Sequence, residues 1–140
     1  DNSLLDVRII HKYIVVEYGN QTTSSNLDLY WSDFSLKISP LEQVTLLKKF
    51  NTNEFHLNFQ NVFSVKNAIK IASTPNGNFY GKTGTGRVNG QDINGWFIGY
   101  VETSDNSYYF ATNIQSDSNA TGKKAFEITS DILKKLHIWN

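Results

Sequence analysis

The sequence predicts an α+β fold in which helices come first, three antiparallel strands follow, and a helix closes the chain. Two aromatic-rich runs, at residues 95–103 and 107–114, are separated by a short polar break at residues 104–106, which is typical of a β-hairpin. Residues 121–138 carry an apolar stripe at helical spacing. We therefore expect an antiparallel sheet covered by the C-terminal helix.

The first part of the chain carries three helix signals. The apolar residues of residues 4–14 mix the helical and strand periods, and a helix is predicted there. Ser39 is followed by a proline and, three positions on, by Glu42, which predicts a capped helix start. This helix should run through Phe50. A weaker helical spacing predicts another helix over residues 60–72.

Polar stretches between these elements predict loops at residues 21–26, 51–58 and 87–94. Between the last two loops, a strand should lie around residues 79–86, because aromatic residues favour a pleated surface. Three strands and one covering helix leave a sheet face and an edge uncovered. We therefore expect further strands or a partner to complete the sheet.

Composition excludes several classes of function. Thirteen basic and thirteen acidic residues give zero net charge, which provides no electrostatic surface for nucleic acid or an anionic membrane. The chain has no cysteine, and its three histidines are far apart, so neither a metal nor another cofactor is expected. No apolar run approaches the length of a spanning helix, so we expect no membrane contact by these residues. A start at Asp1 without any methionine indicates an excised or processed piece.

One cation lies in the glycine-rich stretch at residues 80–86, where Lys82, Thr83 and Gly84 form a Lys-Thr-Gly motif. A nucleotide phosphate loop is excluded because three residues, rather than four, separate the first glycine from Gly-Lys-Thr. The dinucleotide fingerprint also fails, because its third glycine comes one position late. Lys-Thr-Gly on a strand is instead one of the motifs of the serine penicillin-recognising proteins.

This stretch offers three groups to a substrate. The Lys82 ammonium and the Thr83 hydroxyl can hold a carboxylate by charge-assisted hydrogen bonds. The glycines clear space for the approach. The backbone N–H of Thr85 can help to stabilise a tetrahedral oxyanion if a second donor exists. The alternative is an exposed edge strand with an ordinary gatekeeping lysine.

Several motifs in the same order and spacing resemble the class D β-lactamases. They are Tyr18-Gly19-Asn20, Trp31, residues 35–44, residues 80–86 and residues 94–100. Residues 88–112 look still more like the penicillin-sensing domains of the BlaR and MecR receptors. The resemblance covers nearly all of the chain after Glu17.

The resemblance implies the C-terminal part of a serine β-lactamase/penicillin-binding fold and a parent protein that β-lactams acylate through a serine. The Ser-x-x-Lys motif of this family is absent, since no serine here has a lysine three positions on. Residues 1–140 are therefore expected to be the C-terminal portion of one such domain. They should carry no catalytic nucleophile and be inactive alone.

Carried over residue by residue, Lys82 and Thr83 bind the antibiotic's carboxylate beside Gly84, and Thr85 offers its backbone to the lactam. The resemblance places Trp31 next to the carboxylated lysine and Tyr18-Gly19-Asn20 at the border of the site.

Two further positions lie outside the Lys-Thr-Gly motif. Trp96 is expected to be a core residue, because it lies within an aromatic strand. Many class D enzymes carry an arginine near the start of the last helix, where Ala125 stands here. Carboxylate binding then rests on Lys82 and Thr83 alone or is shared with Lys123 or Lys124.

The resemblance implies a β-lactam antibiotic and the missing N-terminal half of the domain as partners, with no nucleic acid. It places the protein on the extracellular face of the bacterial membrane or outside the cell. Residues 88–112 favour a sensor that signals antibiotic resistance. A class D β-lactamase that hydrolyses the lactam, and a penicillin-binding fold with no lactam role, remain alternatives.

Overall fold

The computed structural model describes the backbone of residues 5–10, 13–18 and 38–140, and the side chains of residues 38–140. Within these residues, six strands form one sheet, and there are three helices. The elements are β1 Leu5–Ile10, β2 Tyr13–Tyr18, α1 Pro40–Asn51, α2 Phe59–Ala68, β3 Lys70–Thr74, β4 Gly77–Val88, β5 Gln91–Thr103, β6 Ser107–Gln115 and α3 Gly122–Lys135.

The strand order across the sheet is β1-β2-β6-β5-β4-β3. Neighbouring strands are antiparallel except for β2 and β6, which are parallel and pair from Tyr13 opposite Tyr109 to Tyr18 opposite Ile114. The predicted α+β class is confirmed, as is the hairpin between β5 and β6. The described sheet has three more strands than the sequence predicted.

The predicted helix over residues 4–14 is wrong, because this region holds the antiparallel strands β1 and β2. Ile10 lies opposite Tyr13, so two residues of sequence separate the strands. β-branched side chains are frequent in both strands, and such residues lose rotamer freedom in a helix but pack well on a pleated surface. Pairing of β2 with β6 stabilises the strand conformation of β2 further.

The predicted helix over residues 60–72 is correct only in its first part. α2 ends at Ala68, and β3 follows almost at once as an antiparallel partner of β4. Thr74 pairs with Gly77 across the turn between the two strands. Sheet pairing therefore overrides the helical spacing of the apolar residues in this stretch.

The predicted loop at residues 87–94 is a tight turn instead. β4 continues to Val88, and β5 begins at Gln91, so Asn89 and Gly90 alone connect them. Both have positive φ, 48° at Asn89 and 78° at Gly90. Asn-Gly is the pair that two-residue hairpin turns favour, since asparagine and glycine tolerate this conformation.

The capped start of α1 is confirmed. The Ser39 side chain accepts a hydrogen bond from the Glu42 N–H, and the Glu42 carboxylate accepts one from the Ser39 N–H at 2.8 Å. This reciprocal pair satisfies two backbone donors that a helix start leaves without partners. α1 therefore begins where the sequence predicts and ends one residue after Phe50.

The sheet has an apolar cluster on each face. On the α3 face, Phe79, Phe97 and Phe110 pack with Ala125 and Leu133 of the helix. The opposite face carries a second cluster of Val44, Tyr80, Tyr100, Tyr109 and Ala111. Because side chains alternate along a strand, neighbouring residues such as Phe79 and Tyr80 belong to different clusters.

The C-terminal helix lies where the sequence predicts, on the β5–β6 hairpin. Thr121 caps α3, and its side chain accepts a hydrogen bond from the Lys124 N–H. Two buried hydroxyls, Thr112 of β6 and Thr129 of α3, lie 2.6 Å apart. This bond and the shared aromatic cluster fix the position of the helix on the sheet.

Candidate functional site

The Lys-Thr-Gly motif lies where β4 leaves the core. Phe79, Tyr80 and Gly81 are buried, whereas the next four residues, from Lys82 through Thr85, are exposed. β4 pairs with β5 along its whole length, with Lys82 opposite Ile98. The motif therefore lies on a strand, as predicted, and this section of the strand faces solvent.

One edge of this section has no strand beside it in the described part of the chain. β3 pairs with β4 only as far as Tyr80, and the Gly81 N–H then donates to the carbonyl of Ile69 at 2.8 Å. Backbone groups of alternate residues point to the same side of a strand. The N–H and C=O of Thr83 and Thr85 therefore point to the same edge as those of Gly81.

The Lys82 ammonium also lies at this edge. It donates a hydrogen bond to the carbonyl oxygen of Thr83 at 2.6 Å. The edge thus places a cation beside the backbone carbonyl of Thr83, with the Thr85 N–H two residues further on. A carboxylate and a developing oxyanion are the groups that such donors bind best.

Gly84 leaves room on the face of the sheet. A Cβ placed at this glycine would meet a single neighbouring atom within 4 Å, the Cβ of Trp96, at 3.7 Å. Trp96 lies opposite Gly84 in β5 and is half-buried. The prediction that Trp96 is a core residue is wrong, because it lies outside both apolar clusters. The alternation of side chains sends Phe97, not Trp96, into the aromatic core.

Next to Trp96, three side-chain amides that the sequence did not predict as a group are joined by hydrogen bonds. Asn113 of β6 lies opposite Trp96 and is buried. Its side-chain amide donates to Oδ1 of Asn94, and its Oδ1 accepts from Gln115 at 2.9 Å. Asparagines inside aromatic strands were the available signal, since buried amides need partners.

Three tyrosines of the second apolar cluster pack together beside the buried part of β4, just before the motif begins. The rings of Tyr80 and Tyr100 stack with centroids 4.6 Å apart, and Tyr109 packs on Tyr100 at 5.7 Å. Burial, and after it the nearby Glu102 carboxylate, raises the pKa of both Tyr80 and Tyr100. Lys66 pairs with Glu102 at 3.3 Å and lies over the Tyr100 ring. These contacts fix β4 up to the start of the motif.

The start of α3 contacts the site, but not through the position expected from the class D resemblance. Ala125 is fully buried in the aromatic cluster, so its side chain does not reach the exposed section of β4. Lys123 is largely exposed and lies 3.9 Å from the Glu127 carboxylate, and Lys124 is exposed as well. Instead, the Gly122 N–H donates to the Thr85 hydroxyl at 2.9 Å.

The remaining predicted site residues lie partly or wholly outside the described structure. Gly19, Asn20 and Trp31 are outside it, and for Tyr18 the structure describes the backbone alone. Tyr18 lies in one row across the sheet with Ile114, Gly95 and Thr85. Three strand spacings separate Tyr18 from Thr85, or about 14 Å. The place of Tyr18, Gly19 and Asn20 at the border of the site stays a prediction, as does that of Trp31 beside the carboxylated lysine.

The described residues lack two kinds of feature. They contain no group of three or more histidine, cysteine, aspartate or glutamate residues placed to hold a metal ion. None of their helices is long and apolar enough to cross a membrane.

The chain matches a known protein family along most of its length. The match covers residues 12–134, and the family is described as the penicillin binding protein transpeptidase domain. The chain is 44% identical over 124 residues to the methicillin resistance mecR1 protein of Staphylococcus aureus, covering 89% of this chain and 21% of that protein. It is 44% identical over 139 residues to the regulatory protein BlaR1 of Bacillus licheniformis, covering 99% of this chain and 23% of that protein.

Solved structures show the same relationship. The C-terminal domain of the Bacillus licheniformis BlaR penicillin-receptor superposes with a TM-score of 0.74 at 49% identity, covering 79% of this chain and 45% of that chain. A class D β-lactamase from Bacillus subtilis superposes with a TM-score of 0.72 at 38% identity, covering 87% of this chain and 49% of that chain. The chain thus spans about a fifth of the mecR1 and BlaR1 proteins and about half of the two solved structures. The chain belongs to the penicillin binding protein transpeptidase family, and its fold is the C-terminal part of the penicillin-binding/class D β-lactamase fold.

Proposed function

We propose that the chain is the C-terminal portion of a β-lactam-sensing domain and supplies the strand that binds the antibiotic's carboxylate. The observation that carries the proposal is the open edge of β4, where the Lys82 ammonium lies beside Thr83. The identity of 44% to the mecR1 protein and to BlaR1 supports a sensor in preference to an enzyme.

In the proposed complex, Lys82 Nζ and the Thr83 hydroxyl hold the carboxylate of the lactam. Lys82 exchanges its contact with the Thr83 carbonyl for the stronger charge-assisted one. The N–H of Thr85 faces the lactam carbonyl as one oxyanion donor. Gly84 leaves the space that the bound ring needs.

The nucleophile must come from outside these residues. No serine in the chain is followed three positions later by lysine, so the family's serine and its base are expected in the remainder of the domain. The partial coverage of the solved domains supports this division, since the chain spans 45% of the BlaR domain. We therefore propose that β4 contributes binding groups and that the other part contributes the acylated serine.

A class D β-lactamase is the second candidate, supported by the 38% identity to the Bacillus subtilis enzyme over 87% of this chain. Both candidates form an acyl-enzyme on a serine, and they differ in whether water then releases the product. A sensor retains the adduct, whereas a lactamase turns over.

Intact mass spectrometry of the complete domain after exposure to benzylpenicillin distinguishes these functions. We expect a stoichiometric penicilloyl adduct that persists after free antibiotic is removed, with little hydrolysis of a chromogenic lactam. Rapid loss of the adduct with continued hydrolysis would identify the lactamase. A domain that folds but is never acylated would contradict both.

We also propose that the parent protein presents this domain outside the cell, on the membrane or secreted, where it meets the antibiotic. The reading frame upstream of Asp1 tests the location. Membrane spans with a His-Glu-x-x-His helix indicate a receptor, and a signal peptide directly before the domain indicates a secreted lactamase. A frame with neither feature would contradict the proposal.

A further inference from the structure

The first turn of α3 touches β4 at the residues proposed to bind the lactam. Gly122 is buried there, and its N–H donates to Oγ1 of Thr85 at 2.9 Å. A Cβ added at Gly122 would lie 2.6 Å from the carbonyl oxygen of Gly84 and 2.9 Å from the Cβ of Thr83. Only glycine therefore lets the helix start approach this closely without displacing Thr83 and Gly84.

The neighbouring strand β5 also carries a glycine where the start of α3 approaches it. Gly95 of β5 lies opposite Thr85, and a Cβ added to it would overlap the carbonyl oxygen of Thr121. The peptide between Thr121 and Gly122 thus lies against β5 at one glycine and against β4 through the other. We call this arrangement the α3–β4 contact.

The α3–β4 contact matters because the exposed section of β4 has few other supports. In the described part of the chain, β5 pairs with one edge of this section, and no strand pairs with the other. α3 itself is held firmly, since Leu133 and Thr129 are buried on the sheet. Binding groups work well only when neighbouring contacts hold them within about 0.5 Å of the productive geometry.

We propose that Gly122 and Gly95 are positioning residues for the lactam site. They hold the Thr121–Gly122 peptide against the sheet, and this contact fixes the direction of the Thr83 hydroxyl and the Thr85 N–H. The inference rests on the function proposed for β4. It adds that the helix start, which carries no arginine at position 125, acts on the site through backbone packing.

The test substitutes Gly122→Ala in the complete domain. The dissociation constant of the initial benzylpenicillin complex is measured separately from the acylation rate constant by stopped-flow kinetics. Displacing Thr83 should weaken the initial complex about tenfold, which is the loss expected for a disturbed hydrogen bond. Gly90→Ala is the matched control, because it strains a turn with φ of 78° and touches no atom of the site.

A double-mutant cycle separates positioning from a general loss of stability. If Gly122→Ala acts through Thr83, it should weaken binding far less in a Thr83→Val background than in the wild-type background. A structural defect would weaken binding equally in both backgrounds.

Should Gly122→Ala not fold, Thr85→Val tests the same contact without adding a clash. It removes the hydroxyl that accepts from Gly122 and should weaken the initial complex several-fold, whereas Thr85→Ser should restore it. Hydrogen exchange at the first turn of α3 should rise in the valine variant alone.

Lys82→Ala, measured in parallel, distinguishes failure of the inference from failure of the proposed function. Unchanged acylation in Lys82→Ala would remove β4 from the site and the inference with it. If Lys82→Ala impairs acylation while Gly122→Ala and Thr85→Val bind lactam as tightly as Gly90→Ala, the positioning role is overturned and the proposed function stands.

Discussion

Thr129 accepts one buried hydrogen bond and donates another. Its hydroxyl donates to the carbonyl of Ala125 at 2.7 Å, which leaves Thr112 as the donor in the 2.6 Å contact between the two threonines. Thr129→Val should therefore leave the Thr112 hydroxyl buried without a partner. We expect the free energy of unfolding to fall by about 1–3 kcal/mol, measured by urea unfolding of the complete domain.

The double variant Thr112→Val with Thr129→Val is the control for this pair. Replacing both hydroxyls with methyl groups of similar shape leaves no buried donor unpaired, so the double variant should lose less than Thr129→Val alone. A double variant that is less stable than either single variant would show that the two hydroxyls act independently and would contradict this pairing.

Single residues were predictable where local chemistry decides their environment. Lys82 was placed on a strand because Phe79 and Tyr80 favour a pleated surface, and the structure confirms that strand. Trp96 was assigned to the core from its aromatic neighbours, although only the strand register shows that Phe97 takes that place. The glycines at positions 95 and 122 carried no local signal, because their role depends on a contact between elements far apart in the sequence.

The capping box of α1 gives this helix a pH dependence. Hydrogen bonds from the backbone N–H and then the hydroxyl of Ser39 lower the pKa of Glu42 below its ordinary value of 4.5. A lowered folded-state pKa contributes stability above the unfolded pKa, and this contribution is lost as the pH falls through the folded pKa. The free energy of unfolding should therefore decrease as the pH is lowered from 7 to below the ordinary range of glutamate.

Urea unfolding at neutral and acidic pH checks this expectation. Glu42→Gln should reduce the difference in the free energy of unfolding between the two pH values. Ser39→Ala should reduce this difference less, because it removes the hydroxyl of the cap but keeps the backbone N–H. An unchanged pH dependence in both variants would show that the capping box does not titrate with folding.

Helix and strand boundaries were predictable where the sequence carries a start or stop signal. Ser39 and Glu42 specify the start of α1, and the structure begins the helix there. Residues 4–14 carry no capping signal in the sequence, and the strands found in this region depend on pairing: β1 pairs with β2, and β2 pairs with β6. The turn at Asn89 and Gly90 had a local signal in its Asn-Gly pair, but the polar residues around it predicted a longer loop.

For the whole molecule, the parallel pairing of β2 with β6 joins segments from opposite ends of the chain. The local spacing of apolar residues carries no information about such a contact, so only three strands were predicted from the sequence. The sequence led us to expect missing strands or a partner to complete the sheet, whereas the structure finds the further strands β1, β2 and β3 within the chain and the predicted helix α1 on the second face. The family resemblance reached further than periodicity because it relies on several motifs in order.

The isolated chain should associate with itself in solution. Phe59 and Phe63 of α2 stack with centroids 6.5 Å apart and are 71% and 52% exposed. An exposed aromatic pair favours association when the rest of the domain is absent, and so does the edge of β4 that no strand of the described residues pairs with. Size-exclusion chromatography should show a species larger than a monomer, and Phe59→Ser with Phe63→Ser should shift it toward the monomer.

Two results would contradict this dependence on the rest of the domain. A compact monomer that melts cooperatively would show that the chain folds alone. A stoichiometric penicilloyl adduct on the isolated chain would show a nucleophile that the family motif does not provide.

Acylation kinetics of Lys82→Ala in the complete domain test the central claim most directly. Losing a charge-assisted contact to the lactam carboxylate, worth about 1.5–3 kcal/mol, should slow acylation by benzylpenicillin roughly tenfold to a hundredfold. Thr83→Val should slow it less, and Lys134→Ala, at an exposed lysine near the end of α3, should not slow it. An acylation rate in Lys82→Ala equal to that of the wild type would contradict the account and leave β4 an ordinary exposed edge strand.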